Sequence, residues 1–230
     1  MRKNRIRQDP SLRKKREPPL MSLGHEWKWT DWVKRLQAIA QNGLLYAETE
    51  FDSERYRAVR RIAAEILESG SGVDQESILN VFNRQSGYAT TKVDTRGALF
   101  KDDTILLVLE KEDRGWTLPG GWADVHETPS EAVSREVWEE AGFRVKPVKL
   151  AAVWDRSLHG HVPPHPFRIY KLFFLCSIIG GEPKTSNETL DVGFFKEDRI
   201  PPLSLGRTTP PEIRRLFEHY RNPSLPTDFD

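Results

Sequence analysis

The sequence predicts an α/β (or α+β) protein: a mixed sheet with helices packed on it, preceded by a small N-terminal helical hairpin. Three observations carry that prediction. Up to Gly70 the apolar residues recur three or four apart, and after Gly87 they gather into short β-like runs separated by turns. One strongly capped helix then falls between those runs, which places strands before and after it. At 230 residues, 37% of them hydrophobic, the chain can bury a core, and its length suits one large domain or two modest ones.

Residues 1–20, "MRKNRIRQDPSLRKKREPPL", hold eight Lys or Arg against Asp9 and Glu17, so the remainder is net acidic by five although the whole carries +1. The leader has neither helical periodicity nor the apolar run of a signal peptide, and it is expected to be a disordered, solvated extension ahead of Met21. Residues 21–86 form the expected helical domain. Trp32, Leu36, Ile39 and Ala40 mark one helix; Tyr56, Val59, Ile62, Ala63, Ile66 and Leu67 mark a second, with Asp52 as its N-cap and Gly70 as its stop. Trp27, Trp29 and Trp32 read as a packing stripe, and "QESILNVF" as a short third helix.

Residues 87–230 form the second expected domain. "RGALF", the "KDD" turn, "TILLVLEK" and "GWTLPGGW" precede the central helix, and "KLAAVWD", "RIYKLFFLCSI" and "LDVGFF" follow it as strands. Thr209, Pro210 and Glu212 open a last helix running to about Tyr220. The lone cysteine, Cys176, excludes an internal disulfide, and no segment approaches the roughly 18 apolar residues of a membrane span. These features predict a cytoplasmic enzyme or binding protein without a membrane partner.

The chemistry is concentrated in "LPGGWADVHETPSEAVSREVWEEAGF", Leu118 to Phe143. Thr128 with Glu131 forms a capping box, Pro129 suits the first helical position and Gly142 the stop, which predicts a helix over 129–141. Glu136, Glu139 and Glu140 then share one face, beside an apolar stripe of Val133, Val137 and Ala141 and above the small Ala132. Arg135 stands four residues from both Glu131 and Glu139 and can bridge them. Three glutamates alone would read as a solvated acidic face. Set among these glycines, they read as oxygen ligands for a hard cation, Mg²⁺ or Mn²⁺, whose charge relieves their repulsion.

The full spacing runs from Gly121 through Glu127, Arg135, Glu136, Val137, Glu139, Glu140 and Gly142 to Phe143, and it resembles the Nudix box at every defined position. The resemblance implies the α/β/α sandwich of that family and Mg²⁺-dependent hydrolysis of a nucleoside diphosphate linked to another moiety X, giving a nucleoside monophosphate and X-phosphate. It further implies Glu136, Glu139 and Glu140 as metal ligands with the Gly120 carbonyl, and Glu127 with Arg135 as the pair orienting the loop. Glu139 and Glu188 are the candidate bases. From Trp27 to Asp230 the chain is similar to the subfamily with an N-terminal helical domain, for which ADP-ribose, CDP-choline and nucleotide sugars are all admissible substrates.

A hairpin is too short to bury its tryptophans alone, so the helical domain is expected to pack against a second subunit or against its own second domain, and a homodimer is predicted. Nucleic acid is a possible but disfavoured partner: the basic leader would suit an RNA 5′-end pyrophosphohydrolase. A non-catalytic nucleotide sensor is the reading from outside enzymology, opposed by the intact carboxylates. His159, His161 and His165 sit in a proline-rich loop and read as an exposed loop, as substrate contacts or, least favoured, as a zinc site.

Overall fold

The computed structural model describes residues 28–230; the basic leader and Trp27 lie outside them. Three helices come first, α1 (Lys28–Tyr46), α2 (Glu50–Ser71) and α3 (Gln75–Asn83). The expected ends of the second helix both move outward. Thr49 is the N-cap, its hydroxyl oxygen accepting the Asp52 N–H at 3.1 Å. Gly72 is the stop at φ 73°, its N–H donating to the Glu68 carbonyl at 2.9 Å. A left-handed C-terminal position favours glycine. Gly70 serves another purpose: a Cβ there would meet the Trp29 ring at 2.6 Å.

The helices bury Val33, Ala63, Ala64, Leu67, Ile78 and Phe82 together, with Trp29 partly enclosed. Trp32 is 53% exposed, so the described tryptophans do not act as one packed stripe. The helical unit docks on its own sheet domain. Phe167 packs edge-on to Phe82 at 6.0 Å, the Asn42 side-chain oxygen accepts the Ala89 N–H at 2.7 Å, and Arg168 donates to Asp31 at 2.9 Å.

Eight strands follow: β1 (Lys92–Lys101), β2 (Thr104–Glu110), β3 (Trp116–Thr117), β4 (Gly120–Trp122), β5 (Phe143–Asp155), β6 (Ile169–Gly181), β7 (Thr189–Lys196) and β8 (Asp228–Phe229). Their order is β3-β2-β1-β6-β5-β8, with β4 also on β1 and β7 also on β2. The sheet is mixed, since β1 runs parallel to β6 and β5 to β8 while the other pairs are antiparallel. At the "KDD" turn Asp102 and Asp103 take φ 50° and 54°, the double positive φ of a tight hairpin.

Two helices, α4 (Pro129–Ala141) and α5 (Pro210–Arg221), cover opposite faces. Leu99, Leu106, Val108, Phe174 and Cys176 pack against Val133, Val137 and Ala141 of α4. Their sequence neighbours Ala98, Ile105, Leu107, Phe173 and Leu175 pack against Ile213, Leu216 and Phe217 of α5. Alternate side chains therefore enter two cores, which is why β2 reads as a continuous apolar run. This is the expected α/β/α arrangement. The strand expected at Lys149 starts earlier, at Phe143, directly after the Gly142 cap. The two-residue β8 gave no signal of its own.

Candidate active site

The loop from β4 into α4 is held by a few bonds, each fixed by the local sequence. Glu131 accepts the Thr128 N–H at 2.9 Å and the Thr128 hydroxyl oxygen accepts the Glu131 N–H at 3.3 Å, closing the capping box. The expected Glu131–Arg135 pairing is absent because the Glu131 carboxylate is engaged in that cap. Arg135 instead reaches back to Glu127 with Nε to Oε1 at 2.7 Å and Nη2 to Oε2 at 3.0 Å. This is the two-pronged geometry that only a guanidinium offers a carboxylate.

The third guanidinium nitrogen, Nη1, donates to both Glu136 at 2.9 Å and Glu139 at 3.0 Å. Glu140 turns the other way. Only 6% exposed, it accepts the Gly120 N–H at 2.9 Å. Burial pushes its carboxyl up to about 8, against the opposing pull of the Arg96 guanidinium. Burial likewise raises Glu136, with Arg135 acting the other way. Among the described residues no three His, Cys, Asp or Glu side chains converge on one metal point: Arg135 draws Glu136 and Glu139 to itself while Glu140 faces the glycine.

The glycines make the cradle. A Cβ on Gly121 would lie 2.8 Å from Oε1 of Glu136, and one on Gly120, whose φ is 145°, would lie 2.0 Å from the Thr95 carbonyl oxygen. Side chains are thus excluded where the acidic cluster meets the loop. Buried Glu140, half-buried Glu136 and exposed Glu139 together outnumber the single Arg135 that touches two of them, and as a hard-oxygen donor set they fit a divalent cation.

Glu188 lies just ahead of β7. Its N–H donates to the Ser186 hydroxyl oxygen at 3.0 Å and its carbonyl accepts the Lys111 N–H at 2.9 Å. The next residue, Thr189, donates its hydroxyl to the Glu140 carbonyl at 2.9 Å. Glu188 is thereby tethered beside the C-terminal end of α4, with its side chain exposed.

Sequence reasoning missed the charges behind this cluster. Arg96 is 5% exposed and forks onto Asp94 at 2.8 and 3.1 Å while donating to the Leu118 carbonyl at 3.1 Å. Fully buried Lys171 donates to the same Asp94 at 3.1 Å. Glu110, also buried, faces Arg207 at 3.4 Å. The available signal was a charge in phase with core positions, since Asp94 and Arg96 alternate with Ala98 along β1.

The three histidines do not converge. His159 meets Asp230 at 2.9 Å and stacks on Trp154. His161 meets Glu212 at 2.8 Å with both side chains fully buried. His165 lies 6.3 Å from the Trp122 ring, and burial lowers it to about 4. The loop is therefore largely structural and not simply exposed. Between His165 and the Trp122–Glu127 segment runs a cleft of about 720 Å³.

A sheet sandwiched between helices, carrying a glycine-lined loop and an acidic helix, defines a class of hydrolase, and residues 91–217 match the NUDIX domain. The chain belongs to the NUDIX family and is a hydrolase of pyrophosphate bonds. Residues 27–82 match the family described as "UDP-X-like, N-terminal oligomerisation domain". The protein named "Putative ADP-ribose pyrophosphatase YjhB" from Bacillus subtilis (strain 168) is 42% identical over 203 residues, 88% of this chain and 97% of that one. A solved ADP-ribose pyrophosphatase from Streptococcus suis is 41% identical at TM-score 0.57, over 61% of this chain and 100% of its own. The structure titled UDP-X diphosphatase is 31% identical at TM-score 0.58, over 88% of this chain and 98% of its own. Among the described residues no helix is long and apolar enough to cross a membrane.

Proposed function

We propose that the protein hydrolyses nucleoside diphosphates linked to a second moiety X, with ADP-ribose and UDP-linked compounds ahead of CDP-choline, releasing a nucleoside monophosphate and X-phosphate. The observation that carries this reading is Glu140, a buried carboxylate turned toward the Gly120 backbone, next to a Glu136 carboxylate that a side chain at Gly121 would displace. Glu136, Glu139 and Glu140, with the Gly120 carbonyl, would hold Mg²⁺ or Mn²⁺. Such an ion supplies positive charge against the pyrophosphate and acidifies water. Arg135 and Glu127 fix the loop so that these groups stay in register. Glu139, the most exposed acid of the cluster, accepts the proton of the attacking water, with Glu188 as the rival for that role.

The test is a panel of ADP-ribose, UDP-linked sugars, CDP-choline, dinucleoside polyphosphates and triphosphorylated RNA, assayed with Mg²⁺ and Mn²⁺ in ¹⁸O-labelled water. At least one X-linked nucleoside diphosphate is cleaved and EDTA stops the reaction; the label reports which phosphorus is attacked. Binding without cleavage of any member would replace this reading with a nucleotide sensor. The substitutions Glu139→Gln and Glu188→Gln separate the two bases, because only loss of the true base flattens the rise of kcat with pH.

The eight basic residues of the leader favour one second reading, hydrolysis at RNA 5′ ends. Truncation before Met21 would then abolish a salt-sensitive RNA activity while sparing small substrates. The helical unit assembles the protein as a homodimer, checked by light scattering at micromolar concentration. A cytoplasmic setting is part of the same proposal, and the free, buried Cys176 is compatible with it.

A further inference from the structure

Away from the acidic cluster, a cavity of about 260 Å³ lies between α1 and the segment linking β5 to β6. Its charges are unevenly satisfied. Arg168 is paired twice, with Asp155 at 2.5 Å and with Asp31 at 2.9 Å. Arg156, only 8% exposed, has no carboxylate within salt-bridge distance among the described residues. It donates Nε and Nη2 to the Gly206 and Pro163 carbonyls, which leaves Nη1 over. Lys34, on the facing wall, makes no hydrogen bond with any described residue.

We propose that this cavity is a phosphate-binding site in which Lys34 from the helical domain and Arg156 from the sheet domain grip one phosphate monoester. Two cations brought toward each other and partly desolvated repel and lose hydration, and a dianion between them reverses both penalties. Burial is the leading influence on each, pulling the Lys34 ammonium and the Arg156 guanidinium downward, with Asp155 and Asp31 opposing at Lys34 and Asp94 and Glu212 at Arg156. The two acids nearest the cavity, Asp31 and Asp155, are held by Arg168. His165, neutral at pH 7, completes the wall without adding charge.

The volume exceeds that of a bare phosphate and accommodates a small sugar phosphate. His165 lines both this cavity and the cleft beside the Trp122–Glu127 loop, so the site adjoins the proposed reaction centre. The phosphate has two sources: a free phosphomonoester, or an additional phosphate carried by the moiety X of the substrate. Because the two cations come from different domains, the ligand would also tie the helical unit to the sheet.

Calorimetric titration of inorganic phosphate and of ribose 5-phosphate into the full chain in EDTA tests the site without any divalent cation to recruit them. Ribose 5-phosphate should bind one to one. Its Kd should rise at least tenfold in Lys34→Gln and stay unchanged in the control Lys101→Gln, with the Lys34→Gln melting temperature unchanged or higher. No heat with the wild-type chain, or equal Kd in both variants, overturns the proposal. The source is distinguished by KM values for ADP-ribose and its 2′-phosphorylated form, an arm that rests on the proposed hydrolysis. A lower KM for the phosphorylated compound, lost in Lys34→Gln, assigns a substrate phosphate; equal KM values with phosphate inhibition lost in Lys34→Gln assign a free phosphomonoester. Failure to hydrolyse either compound counts against the hydrolysis alone, and calorimetry still decides the site.

Discussion

The carboxylate of Glu140 accepts the backbone N–H of Gly120 at 2.9 Å, joining the last turn of α4 to the first residue of β4. Glu140→Gln keeps an acceptor for that N–H and removes a charge that burial opposes. Turnover at saturating Mg²⁺ should fall at least a hundredfold. The melting temperature in EDTA should hold or rise by about 2–4 °C for each kcal/mol of relieved burial cost. A kcat within twofold of wild type would remove Glu140 from the metal assignment.

The two loop glycines should fail differently. Gly120→Ala puts a Cβ against the Thr95 backbone at a positive φ, and denaturant melts should show a loss of roughly 2–4 kcal/mol. Gly121→Ala meets only the end of the Glu136 side chain, so stability should change by less than about 1 kcal/mol while turnover falls. Equal destabilisation by both would contradict the cradle.

Arg135→Lys retains the charge but replaces a fork with a point. Both bonds to Glu127 cannot then persist alongside those to Glu136 and Glu139. We expect kcat to drop at least tenfold and limited proteolysis within residues 122–128 to quicken. Unchanged proteolysis would show that the loop is ordered by other contacts.

Arg215 first, and His219 second, hold Asp228 down at about 2, below its ordinary 3.8. The sign follows from linkage: the unfolded chain takes up this proton first as pH falls. The stabilisation is therefore complete above about pH 4 and is lost as pH falls toward 2. Urea titrations between pH 5 and 2 should show a slope that Asp228→Asn flattens.

Burial pushes the Cys176 thiol up to about 12, and the thiolate is the reactive form. A thiol reagent at pH 8 should leave the native chain unmodified and titrate one thiol after denaturation, the single cysteine of the sequence. Rapid labelling of the native protein would mean that the sheet face around Cys176 opens.

Wherever the signal was local, the sequence could be read directly. Thr128, Pro129 and Gly142 bound α4 as their capping chemistry requires, and the apolar runs of β2 and β6 marked strands of a mixed sheet with helices packed on it. Local rules competed at Thr49 and Asp52, three residues apart and both good caps; the structure uses the first because Asp52 already lies inside the helix. Glu131 and Arg135 stood at pairing distance, yet a nearer backbone donor took the carboxylate.

Sequence alone determined the carboxylates, their spacing on one helical face and the glycines opposite, because helix periodicity and backbone sterics are properties of neighbouring residues. Only the tertiary structure decided which acids are buried and what each one faces. Glu139 remains exposed, while Glu140 is sealed beneath β4, with Arg96 placed behind it by a strand more than forty residues away. The same holds for Lys34 and Arg156, 122 positions apart in the chain, whose shared cavity exists only because α1 docks on the sheet domain. Desolvation and long-range charge depend on what packs against a residue, and packing is settled by the fold.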